Sequence, residues 1–201
     1  MTAKSAPRRI RKSAEARRAE IVETAIRLAG ELGPDRVTTQ LIADAVGVTQ
    51  PAIFRHFPAK TDIWLAVGEW IAPSDERGDP PLPDNTDPAG QLRQLVAGHF
   101  AAIARNPAIP AILFSRELHA ENEKLRAHIE KVMTRRRARF AALVAQAQAA
   151  GALPDTIPPE DFAALILALI QGLAMRWSLE NRGFDLEEEG GRLLAQLLKS
   201  T

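Results

Sequence analysis

The chain has 201 residues, 46% of them hydrophobic and 25% charged, a balance that excludes a wholly disordered or collagen-like protein. It contains no cysteine, which excludes disulfide frameworks, thiolate metal sites and a cysteine nucleophile and favours a reducing compartment. The formal net charge of +1 conceals an asymmetry: residues 1–60 carry 11 Lys and Arg against 6 Asp and Glu, the remainder 15 against 19. Such a division points the N-terminal part toward a polyanion. With 5% aromatics and no Tyr, the core must be built of Ala, Leu, Ile and Val, a balance that favours helices. The polar, basic start has no apolar stretch of the secretory kind. The uncharged run from Phe162 to Met175 is too short to span a bilayer. A soluble, cytoplasmic protein with no membrane partner is expected.

In chain order, Lys4, Arg8, Arg9, Arg11, Lys12, Arg17 and Arg18 make a basic N-terminal end, with residues 1–13 read as a disordered arm. From Ile21, apolar residues recur at Ala25, Leu28, Ala29 and Leu32, predicting a helix over 14–32 that Gly33 and Pro34 stop. Thr38 caps a short helix with Leu41, Ile42, Ala45 and Val46 inside, ended by Gly47. Thr49 caps another, with Pro51 in its first turn and Ile53, Phe54 and Phe57 as apolar contacts, and Pro58 stops it. A fourth helix spans 60–71. The Pro-rich, acidic stretch that follows reads as a linker, 73–90, between a domain over 14–72 and a second over 91–201.

Beyond the linker, Leu92, Leu95, Val96, His99, Phe100 and Ile103 trace one helix, broken at Asn106 and Pro107. A shorter helical piece is expected over 110–119. A long helix then runs from about Asn122 to Ala150. Pro158 and Pro159 open a helix that is apolar nearly all round from Phe162 to Ala174, so it should be buried on two sides, one of them a candidate subunit contact. A last helix begins near Leu186. No alternating strand pattern and no internal repeat is present, so the fold class is all-α.

Residues 38–60, TTQLIADAVGVTQPAIFRHFPAK, carry the functional signal. They place two short helices around Gly47, with small Ala43 four residues before it and Ile53 six after. A small residue lets the helices cross closely, the glycine permits a left-handed turn, and Ile53 locks the second helix onto the first: the constraints of a helix-turn-helix. The second helix is then free to present its N-terminal residues to a major groove.

Through Gly33, Thr38, Ile42, Ala43, Gly47, Val48, Thr49, the QPAIFRHF run and Lys60, residues 17–70 resemble the TetR family of dimeric transcriptional regulators. The resemblance implies an N-terminal three-helix DNA-binding domain and a larger helical C-terminal domain that binds a small molecule and dimerises. Carried across by position, Gln50 and Pro51 start the recognition helix and face bases, the amide by hydrogen bonds and the proline against a thymine methyl. Gln40 also reaches a base. Thr38, Thr39, Thr49, His56 and Lys60 take phosphate contacts. Phe54 replaces the usual Tyr and lacks its hydroxyl, and Arg55 can offset that loss. His56 has a second reading as the cap of a turn. Arg8, Arg9 and Arg11 either enter a minor groove or form a solvated tail.

At 100° per residue, Arg136 falls within the apolar stripe of its helix between Met133 and Phe140. His99 lies on the stripe of Leu95, Phe100 and Ile103, and Arg176 aligns with Leu165, Leu169 and Leu173. If the three converge, they line a cavity for an anionic or amphipathic effector. Against that stands a structural reading, in which the arginines snorkel or pair with carboxylates and the histidine is satisfied locally. Arg135, Arg136, Arg137 and Arg139 point in different directions and do not make a basic face.

No nucleophile elbow surrounds Ser115 or Ser178, no glycine pattern cradles phosphate, and His99, His119 and His128 lack zinc-ligand spacing. Neither catalysis nor a cofactor or metal is expected. The expectation is a ligand-released, homodimeric repressor on a near-palindromic double-stranded DNA operator, with an unidentified small-molecule effector. Its rival is a helical protein-interaction module that keeps the fold and recruits a protein partner.

Overall fold

The computed structural model describes residues 13–72 and 87–199. The arm residues Arg8, Arg9 and Arg11 and the linker over 73–86 lie outside the described residues. Helix α1 spans Ala14–Leu32. Ser13 caps it, its hydroxyl accepting from the Ala16 N–H at 3.1 Å, which satisfies one of the four orphan donors of a helix start. Arg17 and Arg18 therefore belong to a helix and not to a tail. Gly33, at φ 86°, turns the chain out of α1, and Pro34–Arg36 forms a single 3-10 turn.

Helices α2 (Thr39–Val46), α3 (Gln50–Phe54) and α4 (Lys60–Ile71) follow. The inner face of α2 is set by Thr39, Ile42 and Ala43. Leu41 and Ala45, expected inside, are exposed. The i, i+3, i+4 stripe begins two residues earlier than the apolar residues alone suggest, because Thr39 takes a buried position. At the start of α4, the Asp62 carboxylate accepts from the Ala59 N–H at 3.0 Å.

Helix α5 spans Pro88–Arg105, so the linker ends before residue 88 and not at 90. Asp87 caps it, with its carboxylate accepting from the Gly90 N–H at 2.8 Å. Pro88 then sits in the first turn, where its missing N–H costs nothing. The single piece expected over 110–119 is two helices, α6 (Ala108–Leu113) and α7 (Arg116–Glu121). Ser115 separates them by capping α7 through the Leu118 N–H at 3.0 Å. Its hydroxyl also donates to Asp35 at 2.8 Å, tying the pair to the turn after α1. The remaining helices are α8 (Glu123–Ala149), α9 (Pro159–Leu179) and α10 (Leu186–Leu197).

These helices bury two cores. One joins Ile21, Ala25, Ile42, Ile53, Phe57 and Ile63 from α1–α4 to Ala108, Ile112, Leu118 and Leu125 from α6, α7 and the start of α8. The other joins Leu92, Val96 and Phe100 of α5 to Phe140 and Val144 of α8, Ile166, Ile170 and Trp177 of α9, and Leu194 of α10. Helix α8 thus runs through both cores, and partly buried Ile71 packs against both.

Close approaches hold this arrangement. A Cβ on Gly68 of α4 would lie 2.5 Å from Leu125 Cδ1 of α8, and one on Gly190 of α10 would overlap the Phe100 ring. Glycine at each point lets two helices meet closer than any larger residue permits. Asn122, buried, spans the same α4–α8 junction: its Oδ1 accepts from the Leu125 N–H at 3.0 Å and its Nδ2 donates to the Thr61 carbonyl at 2.8 Å.

Helix α9 is long and apolar enough to cross a membrane by length and composition. Its Phe162, Ile166, Ile170, Leu173 and Trp177 face instead enters the second core. The opposite face leaves Leu165, Met175 and Leu179 exposed, at 45%, 37% and 77%.

Candidate DNA-binding surface and effector cavity

The reading head is built from α2, its turn and α3. Gly47 adopts the left-handed conformation, φ 73° and ψ 40°. Its N–H donates to the Asp44 carbonyl at 3.2 Å, and that of Val48 to Ala43 at 3.0 Å. This paired closure satisfies the last carbonyls of α2 and fixes the angle at which α3 leaves. Ala43 and Ile53 are fully buried, so the two helices lock through the pair expected to do so.

Helix α3 is short, and its N-terminus faces outward. Pro51 and Arg55 are exposed, and Gln50 is half-buried. The Gln50 amide donates to Thr39 Oγ1 at 2.8 Å. Thr39 is itself only 8% exposed, so in this structure its hydroxyl oxygen supports Gln50. Gln40 is exposed, with its amide donating to Asp44 Oδ1 at 2.6 Å. Both candidate base-reading glutamines are thus held by a neighbour on α2.

Thr38 caps α2, its hydroxyl accepting from the Leu41 N–H at 3.1 Å. Thr49 occupies the equivalent place before α3 but makes no side-chain cap bond, and it is exposed. Phe54, grouped by the sequence with Ile53 and Phe57 as an apolar contact, is 41% exposed, whereas Phe57 is 1% exposed. A five-residue helix can bury only one side, and Phe54 lies off it. Lys60 begins α4 and is half-buried, like His56.

One positioning residue escaped the sequence reading. Arg18 of α1 donates to the His56 carbonyl, and its guanidinium lies 4.1 Å from the centroid of the Phe57 ring. It clamps the end of the recognition segment onto α1 by a charge-assisted bond and a cation–π contact. The partners lie far apart in sequence, and no local motif marks them.

In the second core, α5, α6, α8 and α9 line a partly open cavity of about 210 Å³. His99 from α5 and Arg136 from α8 both line it, together with Gln171 of α9. The sequence reading missed Gln171; its place as a polar break in an otherwise apolar helix was the available signal. The remaining wall is apolar, with Ile103, Ile109, Leu113, Ile129, Met133 and Ile170 prominent. Ile71, the last residue of α4, also contributes, so the cavity touches the helix that closes the reading head's own core.

His99 Nδ1 lies 2.7 Å from the Leu95 carbonyl oxygen, which makes Nδ1 the protonated nitrogen of the neutral ring. Its ring centroid is 5.6 Å from that of Phe140. Gln171 Nε2 lies 3.7 Å from Met133 Sδ.

Arg176 does not join them. It lies outside the cavity lining, 44% exposed, with Glu189 at 3.4 Å and Glu180 at 3.5 Å. Its guanidinium stacks 4.2 Å from the Phe184 ring centroid. The stripe it shares with Leu165 straddles the edge of α9, and a long side chain there reaches outward.

The other histidines are held by backbone: His119 Nε2 is 2.9 Å from the Leu113 carbonyl, and His128 Nε2 is 2.9 Å from that of Ala72. Among the described residues no three metal-ligating side chains gather.

A helix-turn-helix with an outward recognition helix, set on a helical body, defines a DNA-binding regulator. The family model for bacterial regulatory proteins of the tetR family matches residues 21–67, and that for the tetracyclin repressor-like C-terminal domain matches residues 88–188. The chain belongs to the TetR family of DNA-binding transcriptional regulators. It is 30% identical to the nucleoid occlusion factor SlmA of Escherichia coli (strain K12 / DH10B), over 80% of this chain and 82% of that protein. In fold it is similar to a putative transcriptional regulator from Saccharomonospora viridis solved with choline (TM-score 0.79, 24% identity, 93% of this chain and 97% of that one). It is also similar to FadR from Bacillus subtilis solved with stearoyl-CoA (TM-score 0.71, 16% identity, 91% and 98%).

Proposed function

We propose that this chain is a cytoplasmic, homodimeric repressor that a small-molecule effector releases from a near-palindromic operator. The observation that carries the reading is Ile71, which ends the last helix of the DNA-binding head and also lines the cavity. A ligand there presses on the head directly. It presses a second time through α6, whose Ala108 Cβ would lie 3.3 Å from a Cβ on Gly30 of α1. Filling the cavity thereby biases a two-state equilibrium in the setting of the head, and affinity for DNA falls.

Gln50, Pro51 and Gln40 read bases, while Thr38, Thr39, Thr49, Arg55, His56 and Lys60 anchor phosphates, with Phe54 against the backbone sugars. The exposed Leu165, Met175 and Leu179 face of α9 supports pairing of two copies, which places two heads on one operator. Ligands in two similar folds, choline and stearoyl-CoA, support an effector in this cavity.

The test is selection of duplexes from a random pool by the purified chain at near-physiological salt. Enrichment of a near-palindrome is expected; a folded dimer that enriches nothing overturns the reading. A second reading, a DNA-bound module that recruits a protein partner, is favoured by similarity to a nucleoid occlusion factor. It predicts specific DNA binding that no small molecule weakens.

A further inference from the structure

We propose that Asp44 is a specificity-determining residue of the reading head: its carboxylate holds the Gln40 amide with Oε1 turned out toward the bases, raising discrimination at one base pair while weakening attraction to DNA of any sequence. The proposal rests on the assignment of Gln40 to base reading made above.

Three observations carry it. First, Gln40 Nε2 donates to Asp44 Oδ1 at 2.6 Å, one helical turn along α2. A hydroxyl can meet either end of an amide, but a carboxylate only accepts, so the nitrogen end must face Asp44 and the oxygen end must face away. Gln40 is exposed, and ordering it before DNA arrives removes part of the entropy that a free side chain loses on binding. An outward Oε1 accepts from the exocyclic amino group of adenine or cytosine and is repelled by the O6 of guanine and the O4 of thymine.

Second, the pair stands at the reading edge. Gln50 donates to Thr39 Oγ1 at 2.8 Å, which brings the first turn of α2, and with it Gln40, beside the start of α3. Third, Asp44 occupies a place where charge alone disfavours an acid. It lies in the last turn of α2, where the helix dipole favours cations, and on a head that approaches phosphates. Exposed itself, it adds nothing to the buried face of Thr39, Ile42 and Ala43. What the carboxylate does hold is Gln40.

The experiment runs duplex selection in parallel on the full chain, on Gln40→Ala, Asp44→Ala and Asp44→Glu, and on the double variant carrying both alanines. The enriched duplex, its single-base-pair variants and a random-sequence duplex are then titrated. Gln40→Ala should lose preference at one position of each half-site. Asp44→Ala should lose most of the same preference, a fall of roughly five-fold or more in discrimination. It should also bind the random duplex about two-fold tighter, the size of one exposed charge interaction. Asp44→Glu should restore part of the preference. Adding Asp44→Ala to Gln40→Ala should change random-duplex binding alone. The melting temperature of Asp44→Ala should hold or rise, so a loss of folding cannot imitate the result. Purine in place of adenine at that position, or 2-pyrimidinone in place of cytosine, should weaken binding by the full chain and leave Gln40→Ala unaffected.

Unchanged discrimination in Asp44→Ala overturns the proposal and leaves base reading by Gln40 standing. A change in preference that persists in the Gln40→Ala background also overturns it, because Asp44 would then touch the base itself, as does indifference of the full chain to loss of the amino group. If Gln40→Ala alters no preference, the base-reading assignment fails and the proposal falls with it.

Discussion

Around Gly47, the candidate DNA-contacting side chains outside the N-terminal arm lie between residues 38 and 60, on α2, α3 and the short segment that leads into α4. In the cavity, the polar groups come from residues 99, 136 and 171, on three helices that meet only in the folded chain. The first site is a local object whose geometry is fixed by one glycine and one small alanine. The second is created by packing, and no short segment encodes it. The difference teaches where each function is vulnerable: the reading head to single contacts, the cavity to anything that changes the spacing of α5, α8 and α9.

The same contrast explains what the sequence made legible. The bounds of α1 to α4, the turn at Gly47 and the buried Ile53 follow from caps, stops and spacing, all of them short-range. The register of α2 did not, because a threonine took a buried place that hydropathy gives to a leucine. The break between α6 and α7 was hidden because Ser115 resembles any surface serine until its bond to Leu118 is seen. Helical periodicity placed His99 and Arg136 on inward stripes and placed Arg176 on one equally well. Periodicity reports a face and not the neighbour across it, and Arg176 has Glu189 and Phe184 there.

The comparison breaks most sharply at Phe57. This ring is 1% exposed and carries the Arg18 clamp, so Phe57→Ala should cost about 3–5 kcal/mol of stability. Operator binding should fall with it, as urea unfolding and DNA titration would register. Full stability in this variant would mean that α3 is held by something other than its aromatic anchor.

Gly190→Ala strikes the other region. The added methyl overlaps the buried Phe100 ring, and overpacking of this kind costs roughly 1–3 kcal/mol. Here the reading head is untouched, so operator affinity per folded molecule should hold while effector binding weakens, because Phe100 adjoins His99 on α5. Equal losses of both would show that the two cores are coupled more tightly than the shared residue Ile71 suggests.

Within the reading head, Gln50 and Lys60 separate specificity from attraction. Gln50→Ala removes an amide already oriented by Thr39 and should cost roughly 1–3 kcal/mol at one base pair, relaxing preference there. Lys60→Ala should weaken all DNA sequences alike and reduce the salt slope by about 1. Titrations across operator variants at several salt concentrations distinguish them; a uniform loss for Gln50→Ala would remove it from base readout.

The smallest effect is expected at Arg176, and it sharpens the cavity's definition. Its partners are on the surface: Glu189 is held below the ordinary carboxylate range chiefly by its hydrogen bond from Arg192, against an opposing effect of desolvation, with Arg176 adding to the lowering. Exposed pairs of this kind contribute little, so Arg176→Gln should move the melting temperature by no more than about 2 °C. Glu189 keeps its Arg192 bonds at 2.9 and 3.0 Å in any case. Operator affinity should be unchanged as well, because Arg176 lies outside both the reading head and the cavity lining. Two arginines that periodicity could not tell apart are told apart by packing, Arg136 lining the cavity and Arg176 paired at the outer edge of α9. A fall in melting temperature as large as that expected for Gly190→Ala would mean that the surface pairs of Arg176 set the packing of α9 against α10.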